Sequence, residues 1–371
     1  MLKRILSFCG ACISFYIGAG FATMQEIVQY EASYGSRFPT VILVAALIYV
    51  YTNISFATNA HRLNLQRGGE IYGVYFSILG TRLKKYAAVF FDYFSALFCY
   101  MSFVVMCGGA NSTLSQQWGI GNGVGAILLT IFVVLTVLFG LKGILRALSQ
   151  LGPIIILTIL VVSVITAVWG INDFLFNIIK IDDGEYVNLM KQVGDGNPFA
   201  SGASYGGFVI LWFAVFLAEI GAKNNVMEVN IGMLISTVFI FGTAAVCCIA
   251  IIGYIDITSF ADIPALVLAQ KISPILAQFF AVIIYAGIFT SAVPLLWTGV
   301  SKISKEGTRR YYVTTIIGGI LGCIIACFVS YKWLINLLYG LNGYLGFVLI
   351  FFMFIYDIRT KMSLNIRRKN K

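Results

Sequence analysis

Apolar residues in this chain neither alternate nor trace one helical face; they come in long runs separated by short polar stretches. Ten runs stand out, at about 5–30, 38–60, 86–110, 123–140, 147–170, 204–221, 230–254, 274–300, 311–330 and 333–356. A helix of about 20 apolar residues crosses the hydrocarbon core of a bilayer, so each run predicts a span. A helix satisfies all its backbone polar groups within one segment, as lipid requires. The expected fold class is all-α integral membrane, with about ten transmembrane helices. The longest polar stretch, 171–203, predicts an extramembrane loop carrying a short surface helix.

Composition agrees. Of 371 residues, 60% are apolar and only 11% charged, with a mean hydropathy of +0.91. A soluble domain carries roughly 25% charge, which this chain lacks. The first run has no small-residue cleavage site and is expected to stay as a span.

A net charge of +10 raises the question of a nucleic-acid partner, and its placement removes it. With the N-terminus in the cytoplasm, 20 Lys and Arg fall on the inner side. Only five (Arg37, Lys180, Lys191, Lys271 and Lys332) fall outside. That asymmetry is the positive-inside rule, so both termini are expected in the cytoplasm. The basic tail 357–371 is expected to meet the anionic inner leaflet of the bilayer.

All eight cysteines lie inside apolar runs, where small packing residues are expected, although Cys9/Cys12 and Cys323/Cys327 have helical spacing. His61 is the one histidine. No nucleophile elbow, phosphate loop or His-based metal set occurs. Neither an enzyme nor an organic cofactor is expected.

Ten spans divide into five and five, and because five is odd the second half enters from the opposite face. That is the arithmetic of an inverted repeat in a single transmembrane domain. Residues 5–170 form the first repeat, 171–203 the outer loop, 204–356 the second repeat and 357–371 the tail. Such plans interrupt corresponding helices, here spans 1 and 6. Gly18-Ala19-Gly20 sits in mid-run, where each glycine weakens a helix by about 1 kcal/mol. In span 6 the candidates are Ser201-Gly202-Ala203-Ser204-Tyr205-Gly206-Gly207 and, near the other end, Gly221.

Gly18-Ala19-Gly20-Phe21-Ala22 followed by Gln25-Glu26 resembles the first-span signature of the YkvI-like bacterial membrane proteins. These belong to the amino acid–polyamine–organocation superfamily, whose members share the LeuT fold. The general plan covers nearly the whole chain; the sharp motifs cover spans 1 and 8, with a looser match at the start of span 6. The resemblance implies a transporter in a bacterial plasma membrane, with its substrate beside the breaks. Exposed amides at Gly18, Ala19 and Gly20 would hold a substrate carboxylate; the competing role is glycine packing between helices. Phe21, Tyr100, Gly206, Phe208 and Trp212 fall where pockets of this fold are lined. Glu26 is either an outer gate, an acceptor near the substrate, or a structural acceptor for a neighbouring helix.

In sodium-coupled members of this fold, two adjacent hydroxyl residues in span 8 bind one ion with carbonyls of spans 1 and 8. The resemblance carries this to Thr290 and Ser291 as hydroxyl donors of oxygen, with carbonyls from Gly287, Ser14 and Ile17. The competing role is a Thr-Ser pair bonding back to the carbonyl one turn earlier. Residues 147–170 contain no lysine, the residue that stands in for this ion in proton-coupled relatives. The expected function is sodium-coupled symport of a small carboxylate-bearing solute such as an amino acid. The alternatives are proton-coupled or uncoupled transport, or a nontransporting sensor or assembly partner. Asp92 is expected to pair with a cytoplasmic cation, and Glu219 with Lys223.

Overall fold

The computed structural model describes residues 1–121, 123–139 and 151–369. Residues 147–150 of the expected fifth span, and Lys142, Arg146 and Lys371 from the charge count, lie outside the described residues. The helices are α1 (Leu2–Tyr16), α2 (Ala19–Ala22), α3 (Gln25–Tyr30), α4 (Phe38–Leu63), α5 (Glu70–Tyr75), α6 (Thr81–Trp118), α7 (Val124–Phe139) and α8 (Leu151–Trp169). They continue with α9 (Ile171–Asp182), α10 (Val187–Met190), α11 (Pro198–Lys223), α12 (Val226–Gly253), α13 (Ile255–Thr258), α14 (Pro264–Ile272), α15 (Pro274–Ile303), α16 (Arg309–Phe328) and α17 (Tyr331–Lys369). Among the described residues seven helices are long and apolar enough to cross a membrane, or eight if α8 and the bent α9 count as one span. The interrupted first run, α1 to α3, and the shorter α7 complete the ten expected runs.

Both halves follow one order: two spans, a short helical connector, a long span, a shorter span and a final span. The connector is α5 with the 3-10 turn Phe76–Leu79 in the first half, and α13 with α14 in the second.

Helix starts are written locally. Asn197 accepts from the Phe199 and Ala200 amides ahead of Pro198, and Asn225 accepts from Met227 and Glu228. Ser273 caps α15 before Pro274, and Thr308 caps α16 through Tyr311. Each cap satisfies amides that a helix start leaves open.

Span 6 departs from expectation. Helix α11 runs unbroken from Pro198 to Lys223, so the expected second discontinuity is corrected. Its glycines serve close packing. A Cβ on Gly202 would lie 2.5 Å from the Val41 carbonyl oxygen, one on Gly207 2.5 Å from that of Gly343, and one on Gly221 2.5 Å from Ala57 Cα. Helices α4 and α17 press against α11 along this seam, as small residues permit in membranes.

Asp92 meets Lys302, whose ammonium also lies over the Tyr93 ring at 5.2 Å. Glu219 does not reach Lys223; it packs over Gly68, whose Cβ position lies 2.8 Å from Glu219 Cγ.

The surface helix α9 turns 89° from α8 and is pinned by Asn177, which donates to the Ile252 carbonyl at 2.8 Å. Beside it, Asp256 accepts from the Tyr186 hydroxyl and from Lys180. Those partners, Tyr186 first, hold the Asp256 carboxyl below its ordinary range. A depressed carboxylate stabilises the fold above its unfolded titration and loses that contribution as pH falls through the folded one. The protection of amides in residues 183–190, taken relative to the intrinsic exchange rate at each pH, is therefore expected to fall in acid below the ordinary carboxylate range, and Asp256→Asn should flatten that dependence.

Candidate functional site

The first span is interrupted where its glycines fall. Helix α1 ends at Tyr16, Ile17 turns to an extended conformation (ψ 95°), and Gly18 is fully extended (φ −96°, ψ −172°). A second interruption follows at Met24, a left-handed residue with φ 63°. For a residue with a side chain that conformation costs on the order of 1–2 kcal/mol. Met24 is completely buried, so the surrounding packing holds it there.

The break frees main-chain groups in mid-span. The Ala19 amide donates to Met106 Sδ at 3.3 Å, and the Ile17 carbonyl accepts from the Ser291 hydroxyl at 3.0 Å. The Glu26 carboxylate folds back over the break. A Cβ on Gly20 would lie 1.9 Å from Glu26 Oε1, and the Tyr205 hydroxyl donates to Glu26 Oε2 at 3.2 Å. Gly20 is thus the surface on which Glu26 rests, a close approach that only glycine allows.

Two spaces flank this point. A cavity of about 10 Å³ is lined by Tyr16, Gly18, Glu26, Phe208, Trp212 and Phe213. That is room for one water at most. A larger cavity of about 330 Å³ lies toward α1 and is lined by Ser14, Ile17, Trp212, Thr290, Ser291 and Pro294, among others. Trp212 lines both and forms the wall between them. On the opposite side, the Tyr331 and Thr23 hydroxyls lie 3.0 Å apart. Thr23 also receives the Ala265 amide on its carbonyl at 3.1 Å. These bonds cover the break beneath a polar vestibule of about 660 Å³ that includes Ser112, Gln116, Asp262 and Tyr331. Gln116 pins the roof by exchanging two hydrogen bonds with Ile263.

The structure brings Gly18, Glu26, Phe208 and Trp212 to the small cavity; Ala19 and Gly20 are buried in α2 just beyond the break and do not line it. Phe21 is fully buried against Tyr16, ring centroids 5.7 Å apart. Two expected pocket residues stand elsewhere. Tyr100 points from α6 toward α16, donating to the Gly318 carbonyl at 2.9 Å beside an apolar cavity of about 440 Å³. Gly206 packs on α4, its Cβ position 2.7 Å from Ile48 Cγ2.

Ser14, Ile17, Thr290 and Ser291 share the larger cavity. Gly287 joins them only through its carbonyl, which accepts from Thr290 at 2.7 Å, because Ile155 covers its α-carbon. Both hydroxyls thus donate to carbonyls of the expected set, and each keeps lone pairs for a cation. The sequence reading missed Tyr16, Tyr205, Met106, Trp212 as a wall, and the Thr23–Tyr331 cover. Thr23 beside the break was the signal available for the last.

Ten helical runs, the interrupted first span and cavities on both sides of its break define a polytopic membrane protein built on the LeuT fold. The likeness to solved structures rests on that fold. A variant of the manganese transporter of Eremococcus coleocola aligns over 95% of this chain and 78% of its own, at 15% identity and a TM-score of 0.55. MhsT in complex with L-phenylalanine aligns over 91% and 87%, at 16% identity and a TM-score of 0.55. The Eremococcus coleocola transporter in complex with an aromatic bis-isothiourea substituted compound aligns over 96% and 79%, at 15% identity and a TM-score of 0.52. No family model and no curated protein matches the chain.

Proposed function

We propose that the chain is a secondary transporter that moves a small zwitterionic solute such as an amino acid, together with sodium, by alternating access. The signature around Gly18 and Glu26 supports its place among YkvI-like proteins of the amino acid–polyamine–organocation superfamily. The same resemblance supports a bacterial plasma membrane, and the Lys and Arg asymmetry supports cytoplasmic termini. One observation carries the reading: the first span breaks beside Glu26, and its Ile17 carbonyl, released from the helix, accepts from the Ser291 hydroxyl at the edge of the larger cavity.

The arrangement supports a zwitterion over a bare carboxylate. Glu26 already lies over Gly20, so an anion held at amides 18–20 would lie against a carboxyl group whose ionised form repels it. A solute whose ammonium turns to Glu26 and whose carboxylate turns to the amides removes that repulsion. Tyr16, Phe208 and Trp212 supply apolar and ring surface around the ammonium. Ser14, Ile17, Gly287, Thr290 and Ser291 would hold sodium with neutral hard oxygens. Among the described residues no group of three His, Cys, Asp or Glu side chains is placed to hold a metal ion. Water-sized space at the break means that Trp212 or the Thr23–Tyr331 cover moves to admit the solute, which is the alternation that transport needs.

Uptake of labelled amino acids into proteoliposomes tests this. Replacing sodium by a large organic cation should lower uptake on the order of tenfold or more, corresponding to about 1.4 kcal/mol or more. Thr290→Ala should have the same effect. Uptake indifferent to both changes overturns sodium coupling, and no uptake of any amino acid overturns the solute class.

A further inference from the structure

Glu31 has no part in the site above, yet it is completely buried where α3 ends. Its Oε2 accepts from the Cys248 thiol of α12 at 3.4 Å. Its Oε1 is buried and has no hydrogen-bond partner among the described residues. The ionisable groups facing it are Glu26 on its own helix, Tyr16 from α1, Tyr205 from α11, and Cys247 and Cys248 from α12. None of them is a cation. A carboxylate taken out of water needs a counter-charge or full hydrogen bonding, and this one has a single thiol donor. A second carboxylate five positions earlier adds like-charge repulsion. The neutral acid is the form that these surroundings accommodate.

We propose that Glu31 is a proton-binding site, separate from the solute and sodium sites and loaded while the outer half of the first span is closed. That half is tied down by the Ser201 hydroxyl on the Tyr30 carbonyl at 2.7 Å and by the Val193 amide on the Gln29 carbonyl at 3.1 Å. Breaking those ties lets water reach Glu31, where the acid ionises and the proton leaves to solvent; closure takes one proton back. Proton loading then favours the closed arrangement, because a ligand that binds one state shifts the equilibrium toward it. This consequence for the cycle rests on the transport reading; the occupancy of Glu31 does not.

Infrared spectra of the full-length protein in lipid nanodiscs, recorded across pH, test the site directly. Wild type should show a carboxylic C=O stretch at neutral pH that disappears as the solution is made alkaline. The band should be lost in Glu31→Gln and kept in Glu26→Gln. Cys248→Ala should move it to higher wavenumber, since the thiol bonds the acid's carbonyl oxygen; this assigns the band even if Glu31→Gln fails to fold. Absence of the band in wild type, its survival in Glu31→Gln, its loss in Glu26→Gln or an unmoved band in Cys248→Ala overturns the proposal. Uptake by the same proteins separates the two readings. Protein with the expected bands but no uptake refutes transport alone, whereas uptake without the band refutes the proton site alone.

Discussion

Gly346→Val is expected to prevent the chain from reaching its native packing. A Cβ at 346 would lie 2.1 Å from the Gly207 carbonyl oxygen and 2.5 Å from its carbon. Those are backbone atoms, so no rotamer change makes room, and α11 and α17 must separate along their seam. Overpacking of a close interface costs about 1–3 kcal/mol where side chains can adapt. Here they cannot, and a loss above about 4 kcal/mol is expected, the range of the most damaging single substitutions. Against a net stability of about 5–15 kcal/mol, that is enough to deplete folded protein. Size-exclusion profiles and thermal melting in detergent read the result. Gly242→Ala is the control: nothing lies within 4 Å of its Cβ position. That change should leave melting unaltered or raise it slightly, because alanine is the better helix former by about 1 kcal/mol. A Gly346→Val protein that melts like wild type would show that the two helices are not in contact as described.

Gly20→Ala should act on function more than on stability. The new methyl group takes the place of the Glu26 carboxylate, which lies as close as 1.9 Å to that position. Glu26 must swing away, breaking its bond with Tyr205 and leaving the break without its acid. Losing one member of a buried charged pair costs about 2–5 kcal/mol of binding. Uptake efficiency should therefore fall by about 30-fold or more, in Gly20→Ala and Glu26→Ala alike. Melting should change by no more than about 3 kcal/mol in either variant. If Gly20→Ala transports normally, the position of Glu26 over the break has no role in recognition.

The interruption in the first span was legible because Gly18 and Gly20 stand in mid-run with no polar residue to explain them. The same reasoning failed at span 6. A glycine-rich string reads alike whether it unwinds or packs, and the deciding partners, Gly343 and Gly346, are remote in sequence. Tyr100 shows a second limit. Ten apolar runs predict ten helices, but a run apolar all round carries little information about rotation. So Tyr100 was placed at the pocket, whereas Met106 of the same helix meets the break. Met24 was invisible because tertiary packing, not residue type, holds its left-handed backbone. Thr290 and Ser291 were placed by spacing shared with a family, and Ser291 does reach Ile17. Glu31 escaped notice because it follows the apolar run, where a carboxylate is ordinarily solvated; it is buried against Cys248 of α12, which is remote in sequence.

Ligand-dependent melting of the purified full-length protein, with amino acids and simple amines in sodium buffer, most directly tests whether the interrupted span holds a small zwitterion. A ligand at a hundred times its dissociation constant stabilises the folded state by about 2.7 kcal/mol. At least one amino acid should raise the melting temperature of wild type and leave that of Glu26→Gln unmoved. Equal stabilisation of both proteins, or of neither by any compound in the panel, would contradict the account.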